Sequence, residues 1–415
     1  MSFSKNDLDN IKSKISIRNE LEKKFNLIQK GKDYWCCCPF HEEKTPSCKI
    51  NDESSSYYCF GCGAKGDIFT LYTELYNYNF IDAVKELSQR AGVQINFENI
   101  KKSKQDNRIE DIINISCLWF QHNLSHPTAD ICTKYLEKRK LSKETIEKFR
   151  LGFSYNSDSS LYEYLKSKSF TEEELLKSNV VKLDKNKKFR DYFYRRLIFP
   201  IININGKVVG FGGRSLDESM PKYINSPESD LFKKRFLLYN LNLAKNSARK
   251  KNNLLICEGY MDVISLNQNG ISSVVAPLGT ALTEDQLNLS WTYSSKPTIM
   301  FDGDSAGIRA AYKSAIMSLP LLSAKKLLQF ITLPNNFDPD TYINSVSLMQ
   351  FVSKLRKPEP ITEFIINQSI KTLTLEKADE KISYDTYLDE LLETIKDKKI
   401  KYFYKNEFKS LFFKK

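Results

Sequence analysis

A dense group of metal-binding residue types near the N-terminus constrains the fold more than any other feature. The chain has three histidines and nine cysteines, yet one histidine and six cysteines fall within the 28 residues of 36–63. Cys38 and His41 are separated by two residues, as are Cys59 and Cys62, and 17 residues lie between the pairs. Such spacing is typical of a zinc ribbon, in which two tight turns close a tetrahedral site. Soft sulfur ligands with one imidazole and no open position predict one structural zinc ion.

Three further cysteines lie in the same stretch, and the alternative is that the whole group is reactive or merely buried. Two correctly spaced pairs argue against that alternative. Cys36 or Cys37 could compete for the metal, but Cys38 has the standard two-residue gap to His41, so we prefer it. Cys48 has no partner in the ligand pattern. An odd number of clustered cysteines favours metal ligation over disulfides in a reducing compartment.

Length, charge and hydropathy restrict the class of protein. A chain of 415 residues predicts two or three domains. Lysine and arginine exceed aspartate and glutamate by 63 to 51, a net charge of +12. This balance fits a polyanionic partner, but it is equally typical of a lysine-rich composition, and charge alone leaves both readings open. We expect a cytoplasmic protein, because the sequence has neither a membrane-length apolar run nor a secretory signal.

The order of sequence patterns predicts an α+β multidomain chain. Residues 1–98 hold the Cys/His group and, over 67–92, two helices, and the polar segment 99–108 is predicted to be a linker. Residues 109–246 mix helices with a hairpin that turns at Asn205-Gly206. Residues 247–340 alternate short apolar runs with helical segments, which predicts a parallel sheet with helices on its faces. Residues 341–415 are predicted to be helical.

Acidic residues follow the strands of this predicted sheet. Glu258 ends the first strand, Asp302 and Asp304 follow the third, and Asp338 and Asp340 follow the fourth. Ligands of open α/β sheets bind beyond the carboxyl ends of the strands, so the five acids should gather at one edge. Oxygen-only ligands select Mg²⁺ or Mn²⁺, which suit phosphoryl or nucleotidyl transfer. Taken singly, each acid could instead cap a helix.

The motifs together resemble the bacterial DnaG-type replicative primase family over nearly the whole chain. The zinc-binding motifs are "CPFHEEKTPS" and "CFGCGAKGD", and the later motifs are "EGYMD", "LGTAL" and "DGDSAG". Further similar segments are "RRLIFPI", "GFGGR", "PKYINSPES" and "FDPD". The resemblance implies a zinc-binding domain followed by an RNA-polymerase domain that contains a Toprim subdomain at 247–340. It also implies a DNA primase that makes short RNA primers de novo on single-stranded DNA.

The resemblance assigns roles by position. It implies that Glu258 is a metal ligand or a general acid or base at the 3′ oxygen, and that Asp302, Asp304, Asp338 and Asp340 bind Mg²⁺ or Mn²⁺. Asp262 is expected to support this nucleotide-binding site. Basic residues are expected to hold the nucleoside triphosphate or the template, first Arg214 and Lys222, and then Arg195, Arg196, Lys148 and Arg150. For each basic residue the alternative is a solvated surface charge.

The zinc ribbon of this family helps to recognise the template. Lys44, Lys49, Tyr57, Tyr58 and Phe60 interleave charge with aromatic rings, as single-strand binders do. The alternative is that the rings fill the small core of the ribbon.

Two departures from the family pattern restrict the inference. An aromatic residue is usual where Cys48 stands, and Cys36 and Cys37 are also unusual. The family normally has a further C-terminal helical domain that binds the replicative helicase. We expect that domain to be absent here, so helicase coupling is not carried over, whereas a place at the bacterial nucleoid is expected.

Two competing functions remain from the sequence. The first is another Toprim enzyme, such as a topoisomerase or nuclease. A type IA topoisomerase needs a nucleophilic tyrosine and usually places Toprim first, whereas here a zinc ribbon comes first. A non-catalytic DNA-binding protein is the other. Intact acids at Glu258, Asp302 and Asp304 argue against it.

Overall fold

A computed structural model describes residues 4–41, 43–76, 78, 80–95, 104–155, 160–217, 220–279, 281–372 and 376–413. The chain divides into two compact units. The first contains 1–133, 151–227 and 249–251, and the second contains 134–150, 228–248 and 252–415. Each unit is described by itself.

Helices are spread over both units. They are α1 (Lys5–Lys14), α2 (Ile17–Glu22), α3 (Ile68–Leu75), α4 (Phe80–Ala91), α5 (Lys104–Asn123), α6 (Asp130–Lys138), α7 (Lys143–Lys148), α8 (Ser160–Ser167), α9 (Glu172–Lys177), α10 (Leu241–Lys251), α11 (Tyr260–Gln268), α12 (Glu284–Trp291), α13 (Ser305–Ser318), α14 (Pro339–Ser345), α15 (Leu348–Leu355), α16 (Ile361–Ser369), α17 (Ala378–Glu393) and α18 (Lys398–Phe412).

Strands form three larger sheets and one two-stranded sheet, β7-β8. They are β1 (Ile28–Lys30), β2 (Asp33–Cys36), β3 (Cys48–Asn51), β4 (Ser56–Cys59), β5 (Lys65–Asp67), β6 (Gly152–Phe153), β7 (Val181–Leu183), β8 (Phe189–Asp191), β9 (Arg196–Ile202), β10 (Val208–Ser215), β11 (Tyr223–Asn225), β12 (Leu238–Tyr239), β13 (Leu255–Ile256), β14 (Val274–Pro277), β15 (Thr298–Ile299), β16 (Gln329–Phe330) and β17 (Glu359–Pro360).

The N-terminal region is a five-stranded antiparallel sheet with helices packed on one face. The strand order is β1-β2-β3-β4-β5. Helix α3 begins where the side chain of Asp67 accepts a hydrogen bond from the backbone N–H of Thr70 at 2.9 Å. Apolar side chains at helical spacing on α3 and α4, among them Leu71 and Leu87, are fully buried in the shared core. The two helices predicted over 67–92 are confirmed.

The predicted linker 99–108 is wrong in its second part. Helix α5 begins at Lys104, and 99–103 lie outside the described residues. The Arg108 guanidinium bonds both carboxylate oxygens of Glu174, at 2.5 and 3.1 Å. A tertiary ion pair therefore extends a helix into a segment whose own pattern is not periodic.

The hairpin predicted at Asn205-Gly206 is confirmed. Strands β9 and β10 pair in antiparallel register in a sheet of order β11-β10-β9-β6. Gly206 has φ +82, a left-handed conformation that favours glycine at this turn.

The second unit contains the predicted parallel sheet. Its order is β12-β14-β13-β15-β16-β17, and the four inner strands are parallel. The antiparallel edge strands β12 and β17 were not predicted, and β17 lies between α15 and α16 of a tail predicted as helical throughout. Short extended pairs such as Glu359–Pro360 have no period long enough to be recognised in a sequence.

Candidate functional site

Four side chains of the zinc-ribbon region converge on one point. The ligand atoms of Cys38, His41, Cys59 and Cys62 all lie within 4.8 Å of one another. The sulfurs of Cys38 and Cys62 are 3.6 Å apart, and the Cys59 sulfur lies 3.8 Å from Nδ1 of His41. The backbone N–H groups of Phe40 and Cys62 point at sulfurs of the group, at 3.4 and 3.3 Å. Three sulfurs and one imidazole at this separation suit tetrahedral zinc.

Glu43 orients the imidazole, a role that the sequence did not indicate. Its Oε2 lies 3.2 Å from Nε2 of His41, which turns Nδ1 toward the sulfurs. Its Oε1 accepts hydrogen bonds from the backbone N–H groups of Cys38, at 2.6 Å, and Ser47, at 3.2 Å. One carboxylate thus holds the imidazole and the first turn together. The signal available in the sequence was only an acid two residues after the histidine.

Glycine at position 61 is required by close approach. A Cβ there would lie 2.8 Å from Nε2 of His41 and 2.9 Å from Oγ of Ser47. Neither neighbour can move without disturbing the four-residue group.

Two of the leftover cysteines face each other in the ribbon. Cys36 and Cys48 are directly opposed on β2 and β3, and both are fully buried. Cys37 is partly exposed. The converged group contains none of the three, which agrees with the preference for Cys38 over its neighbours.

The predicted acids lie at the carboxyl ends of the parallel strands in the second unit. Glu258 follows β13, and Asp302 and Asp304 follow the neighbouring β15. Asp338 and Asp340 follow β16, the next strand in the sheet. We call Glu258, Asp262, Asp302, Asp304, Asp338 and Asp340 the acidic edge.

Glu258 contacts the segment that carries the next two acids. Its Oε1 accepts a hydrogen bond from the backbone N–H of Asp302 at 3.0 Å. A Cβ at Gly307 would lie 2.6 Å from the same oxygen, so only glycine lets the start of α13 pack here. Burial, and then the charge of Asp304, raise the pKa of Glu258 above its ordinary value.

Asp262 and Asp340 form the buried part of the acidic edge. Asp262 accepts hydrogen bonds from the backbone N–H groups of Gly259, at 2.9 Å, and Asp340, at 3.4 Å. Burial raises the pKa of Asp262 well above its ordinary value, and the charges of Asp302 and Asp338 add to that effect. Asp262 therefore connects the segments after β13 and β16.

Arg139, which the sequence did not single out, neutralises Asp340. Its Nη1 donates to Oδ2 of Asp340 at 2.5 Å, and the Asp340 side chain is only 3% exposed. Asn344 donates to the other carboxylate oxygen at 3.0 Å. Both oxygens of Asp340 are therefore bonded to side chains of the protein. Arg139 follows α6, more than a hundred residues before the acidic edge, and no local pattern links it to Asp340.

Two acids of the edge also cap helices, as the alternative reading held. Asp304 accepts from the backbone N–H of Gly307 at 2.7 Å and starts α13. Asp338 accepts from that of Thr341 at 2.6 Å and starts α14. Capping fixes one oxygen of each carboxylate and leaves the other available.

The acidic edge is looser than the Cys/His group. Over the part of the chain that the structure describes, the Cys/His group alone brings three or more ligand atoms within 4.8 Å of one another. Carboxylates repel one another, whereas neutral thiols can pack closely. The edge nevertheless lies on three adjacent strands, with direct contacts between Glu258 and Asp302 and between Asp262 and Asp340.

The predicted basic residues occupy different environments in the first unit. Arg214 on β10 stacks on Tyr223 of β11, with 5.1 Å from its guanidinium carbon to the ring centroid, and donates to the Tyr223 hydroxyl. Lys222 is exposed beside them. Arg196 is buried, and its Nη1 donates to the carbonyl oxygens of Gly213, at 3.3 Å, Pro221, at 3.0 Å, and Lys222, at 3.3 Å. Arg196 therefore does not belong to the basic surface as predicted, because it is buried and backbone carbonyls bond its Nη1.

The other basic residues have local partners. Lys148, in the second unit, donates to the side chain of Asn267 at 2.7 Å. Arg195 lies 3.6 Å from Asp217, and Arg150, like Arg195, has a left-handed backbone conformation. The phosphate-binding role of these three residues therefore stays a prediction.

The ribbon sheet displays an aromatic row on its outward face. Trp35, Lys49 and Tyr58 are directly opposed on β2, β3 and β4. Phe60 is 63% exposed, stacks on Trp35 with ring centroids 5.5 Å apart, and meets Tyr58 edge-on at 4.8 Å. Tyr57 points inward and is 3% exposed, so the alternative of core filling holds for that tyrosine. We call Trp35, Lys49, Tyr58 and Phe60 the aromatic row.

A Cys/His ribbon followed by a parallel sheet with an acidic edge defines a zinc-ribbon protein of the Toprim class. Family models match in the same order. The CHC2 zinc finger matches residues 3–103, the N-terminal domain of the DNA primase catalytic core matches 119–245, and the Toprim domain matches 252–330.

Named relatives are DNA primases. The DNA primase of Buchnera aphidicola is 35% identical over 92% of this chain and 67% of its own length. That of Escherichia coli is 31% identical over 96% of this chain and 70% of its own length. The chain thus spans about two thirds of these relatives.

Solved structures agree with this assignment. The zinc-binding and RNA polymerase domains of the Aquifex aeolicus primase cover 99% of this chain at 29% identity, with a TM-score of 0.64 and 97% of that chain matched. A DnaG primase catalytic domain bound to single-stranded DNA covers 75% of this chain at 30% identity, with a TM-score of 0.68 and 98% of that chain matched. The chain belongs to the DnaG-type DNA primase family.

The family assignment confirms several predictions. It confirms a primase, an enzyme, and the predicted fold of zinc ribbon, Toprim sheet and C-terminal helices. The zinc-finger match and the Cys/His group support a structural zinc ion. No helix within the described ranges has the length and apolar character needed to cross a membrane.

Proposed function

We propose that this chain is a nucleotidyltransferase that synthesises short RNA primers de novo on single-stranded DNA at the bacterial nucleoid, using ribonucleoside triphosphates. The acidic edge is the observation that carries this proposal, because carboxylates gathered at the carboxyl ends of parallel strands suit phosphoryl chemistry. The single-stranded DNA in the related catalytic domain supports the choice of template. The proposed arrangement is a zinc ribbon over 1–98, a basic subdomain over 109–246, Toprim over 247–340 and helices over 341–415.

The donor set of the acidic edge fits Mg²⁺ or Mn²⁺, since every side chain offers oxygen. We assign Glu258, Asp302, Asp304 and Asp338 as the residues that would hold the ions. Asp340 was predicted as a ligand, but Arg139 and Asn344 already bond both of its oxygens, so we assign it a positioning role. When bound, such ions would supply charge neutralisation at the transferring phosphate and lower the pKa of the attacking hydroxyl.

The protein's own residues supply binding and orientation. Glu258, whose Oε1 is fixed by the backbone N–H of Asp302, is the residue that we assign to hold an ion or to accept a proton from the 3′ hydroxyl, and Asp262 fixes the segments on either side. Arg214, whose guanidinium lies over the Tyr223 ring, and exposed Lys222 are the cations that we assign to a phosphate group. Cys38, His41, Cys59 and Cys62 hold one structural zinc ion, which stabilises the ribbon.

The aromatic row is the proposed template contact of the ribbon. Exposed rings at Tyr58 and Phe60 offer stacking faces to unpaired bases, and Lys49 attracts the backbone. Replacing both rings by alanine removes about 1–3 kcal/mol of stacking per base, so single-strand affinity should fall at least about tenfold. Tyr402→Ala is the matched control, because this tyrosine is 64% exposed on α18, outside the ribbon. Equal losses in both variants would contradict the assignment.

The direct test is incorporation of labelled ribonucleotides on unprimed single-stranded templates, with Mg²⁺ and with chelator. We expect synthesis in the presence of Mg²⁺ and none in the presence of the chelator. Glu258→Gln should abolish synthesis and leave DNA binding nearly unchanged, since it removes one charge from the acidic edge without touching the ribbon. Persisting synthesis would refute the role of Glu258. Strand cleavage without synthesis would favour the competing Toprim enzymes, and binding alone would favour a non-catalytic protein.

A further inference from the structure

A cavity of about 1040 Å³ lies within the second unit, between α13 and the C-terminal helices α16 and α17. Residues from the first three turns of α13, from the end of α16 and from the first half of α17 line it. Neither Glu258 nor the aspartates of the acidic edge belong to the lining. This volume is at the upper end of what small-molecule sites occupy, and junctions between subdomains are common places for them.

Two cations on one face of α13 point into this cavity. Arg309 and Lys313 are four residues apart, so they project from the same side of the helix. Both are exposed, and neither forms an ion pair with any acid in the described ranges. Lys371 adds a third positive charge across the cavity, with its Nζ bonded to the side chain of Gln368 at 2.8 Å. Arginine and lysine placed together suit a phosphate group.

Tyrosine rings form the wall beside these cations. The hydroxyls of Tyr312 and Tyr387 bond each other at 2.5 Å, and the hydroxyl of Tyr384 bonds Oγ of Ser369 at 2.6 Å. The polar tips of the rings are therefore satisfied by the protein itself. Their faces and edges remain as apolar wall, which suits a flat aromatic group.

The cations and the tyrosine rings that line the cavity together indicate the chemical class of its ligand. An aromatic ring for the tyrosines and a phosphate for Arg309 and Lys313 occur together in a nucleoside phosphate. Asp379, exposed at the rim on α17, matches a ribose hydroxyl or an exocyclic amine. We propose that this cavity, which we call the α13 pocket, is an accessory nucleoside-phosphate site. Glu380 also lines the pocket, and its Oε2 accepts hydrogen bonds from the backbone N–H groups of Glu376 and Lys377, at 3.2 and 3.3 Å. Asp379 and Glu380 are the acids of the lining, fewer than a divalent-ion site needs, so we expect binding there without a divalent ion.

The α13 pocket shares one helix with the acidic edge. Asp304 caps α13, and the next residue, Ser305, already lines the pocket. A nucleotide seated there contacts the helix that carries one of the proposed metal ligands. The inference does not depend on primer synthesis, and it is tested without it.

The experiment is calorimetric titration of the whole chain with ADP in buffer free of Mg²⁺ and Mn²⁺, where nucleotide binding that depends on those ions is suppressed. Arg309→Ala/Lys313→Ala should weaken ADP binding at least about tenfold, because the phosphate loses both cations. Arg356→Ala/Lys357→Ala is the matched control, since it removes the same two residue types, also exposed, outside the pocket lining. Ser383→Trp, which fills the pocket from an exposed position, should abolish binding.

Two further ligands test separately the recognition of the aromatic ring and that of the phosphate. Adenosine should bind at least about tenfold more weakly than ADP, and so should inorganic triphosphate, since each lacks one of the two recognised groups. Absence of ADP binding without Mg²⁺ and Mn²⁺ would overturn the proposal. So would equal affinity in the Arg309→Ala/Lys313→Ala and control variants, or triphosphate binding as tight as that of ADP, which would indicate only a basic surface.

Discussion

The ion pair between Arg139 and Asp340 offers the sharpest test of how the acidic edge is held. Asp340 is almost fully buried, and Arg139 and Asn344 bond its two oxygens at 2.5 and 3.0 Å. Arg139→Met keeps most of the side-chain volume and removes the charge. The carboxylate is then left in a buried position with one hydrogen bond from Asn344.

The magnitude follows from the burial of the two partners. Removing one partner of a buried pair costs about 3–5 kcal/mol of unfolding free energy. The Arg139 side chain is 24% exposed, and the bond from Asn344 remains, so we expect about 3 kcal/mol, the lower end. Lys405 and Asp389 form the control pair, 3.6 Å apart with both side chains half exposed, and Lys405→Met should cost less than about 1 kcal/mol.

The assay is urea unfolding of a double-mutant cycle without added Mg²⁺ or Mn²⁺. The cycle comprises Arg139→Met, Asp340→Asn and the double variant, with Lys405→Met measured in parallel. We expect a coupling free energy of about 2 kcal/mol or more, because Asp340→Asn removes the buried charge that makes Arg139→Met costly. Additivity within about 0.5 kcal/mol, or a cost of Arg139→Met no larger than that of Lys405→Met, would refute the reasoning.

Three other variants test the remaining features. Cys38→Ser should lose the bound zinc, as measured by atomic emission, because it removes one of the four ligands. Cys37→Ser removes a neighbouring thiol outside the Cys/His group and should retain the zinc. Equal zinc content in the two variants would refute the ligand assignment. Since burial raises the pKa of Glu258, its ionised form destabilises the fold at neutral pH, so Glu258→Gln should raise the melting temperature at pH 7 without added Mg²⁺ or Mn²⁺. This gain should shrink as the pH falls through the raised pKa and vanish below the ordinary carboxyl pKa, where Glu258 is protonated in the folded and in the unfolded chain; no gain at pH 7 would contradict the reasoning. Gly307→Ala places a Cβ 2.6 Å from Oε1 of Glu258 and should reduce primer synthesis at least about tenfold, whereas Ala306→Gly should reduce it much less.

Local patterns in the sequence were sufficient for the main architecture. The start of α13 at Ser305, the hairpin at Asn205-Gly206 and the four parallel strands were predicted because turn and capping residues mark them locally. The four converging ligands of the ribbon, Cys38 among them, follow from spacing because a tetrahedral site permits few arrangements.

Contacts between distant segments were not predictable in the same way. Arg139 and Asp340 are 201 residues apart, and nothing local marks either as the partner of the other. The family resemblance had predicted Arg196 on the basic surface. The alternation of a strand instead turns its guanidinium toward the carbonyl of Pro221. Whether a charge lies outside or inside depends on pairing that only the folded sheet defines.

The caps of the Toprim helices affect the electrostatic repulsion within the acidic edge. Asp304 and Asp262 each accept a backbone N–H at the beginning of a helix, where the peptide dipoles carry partial positive charge. Their repulsion is thus partly offset by the polypeptide itself, before any cation arrives. The backbone therefore lowers the electrostatic cost of holding these carboxylates near one another in the folded chain.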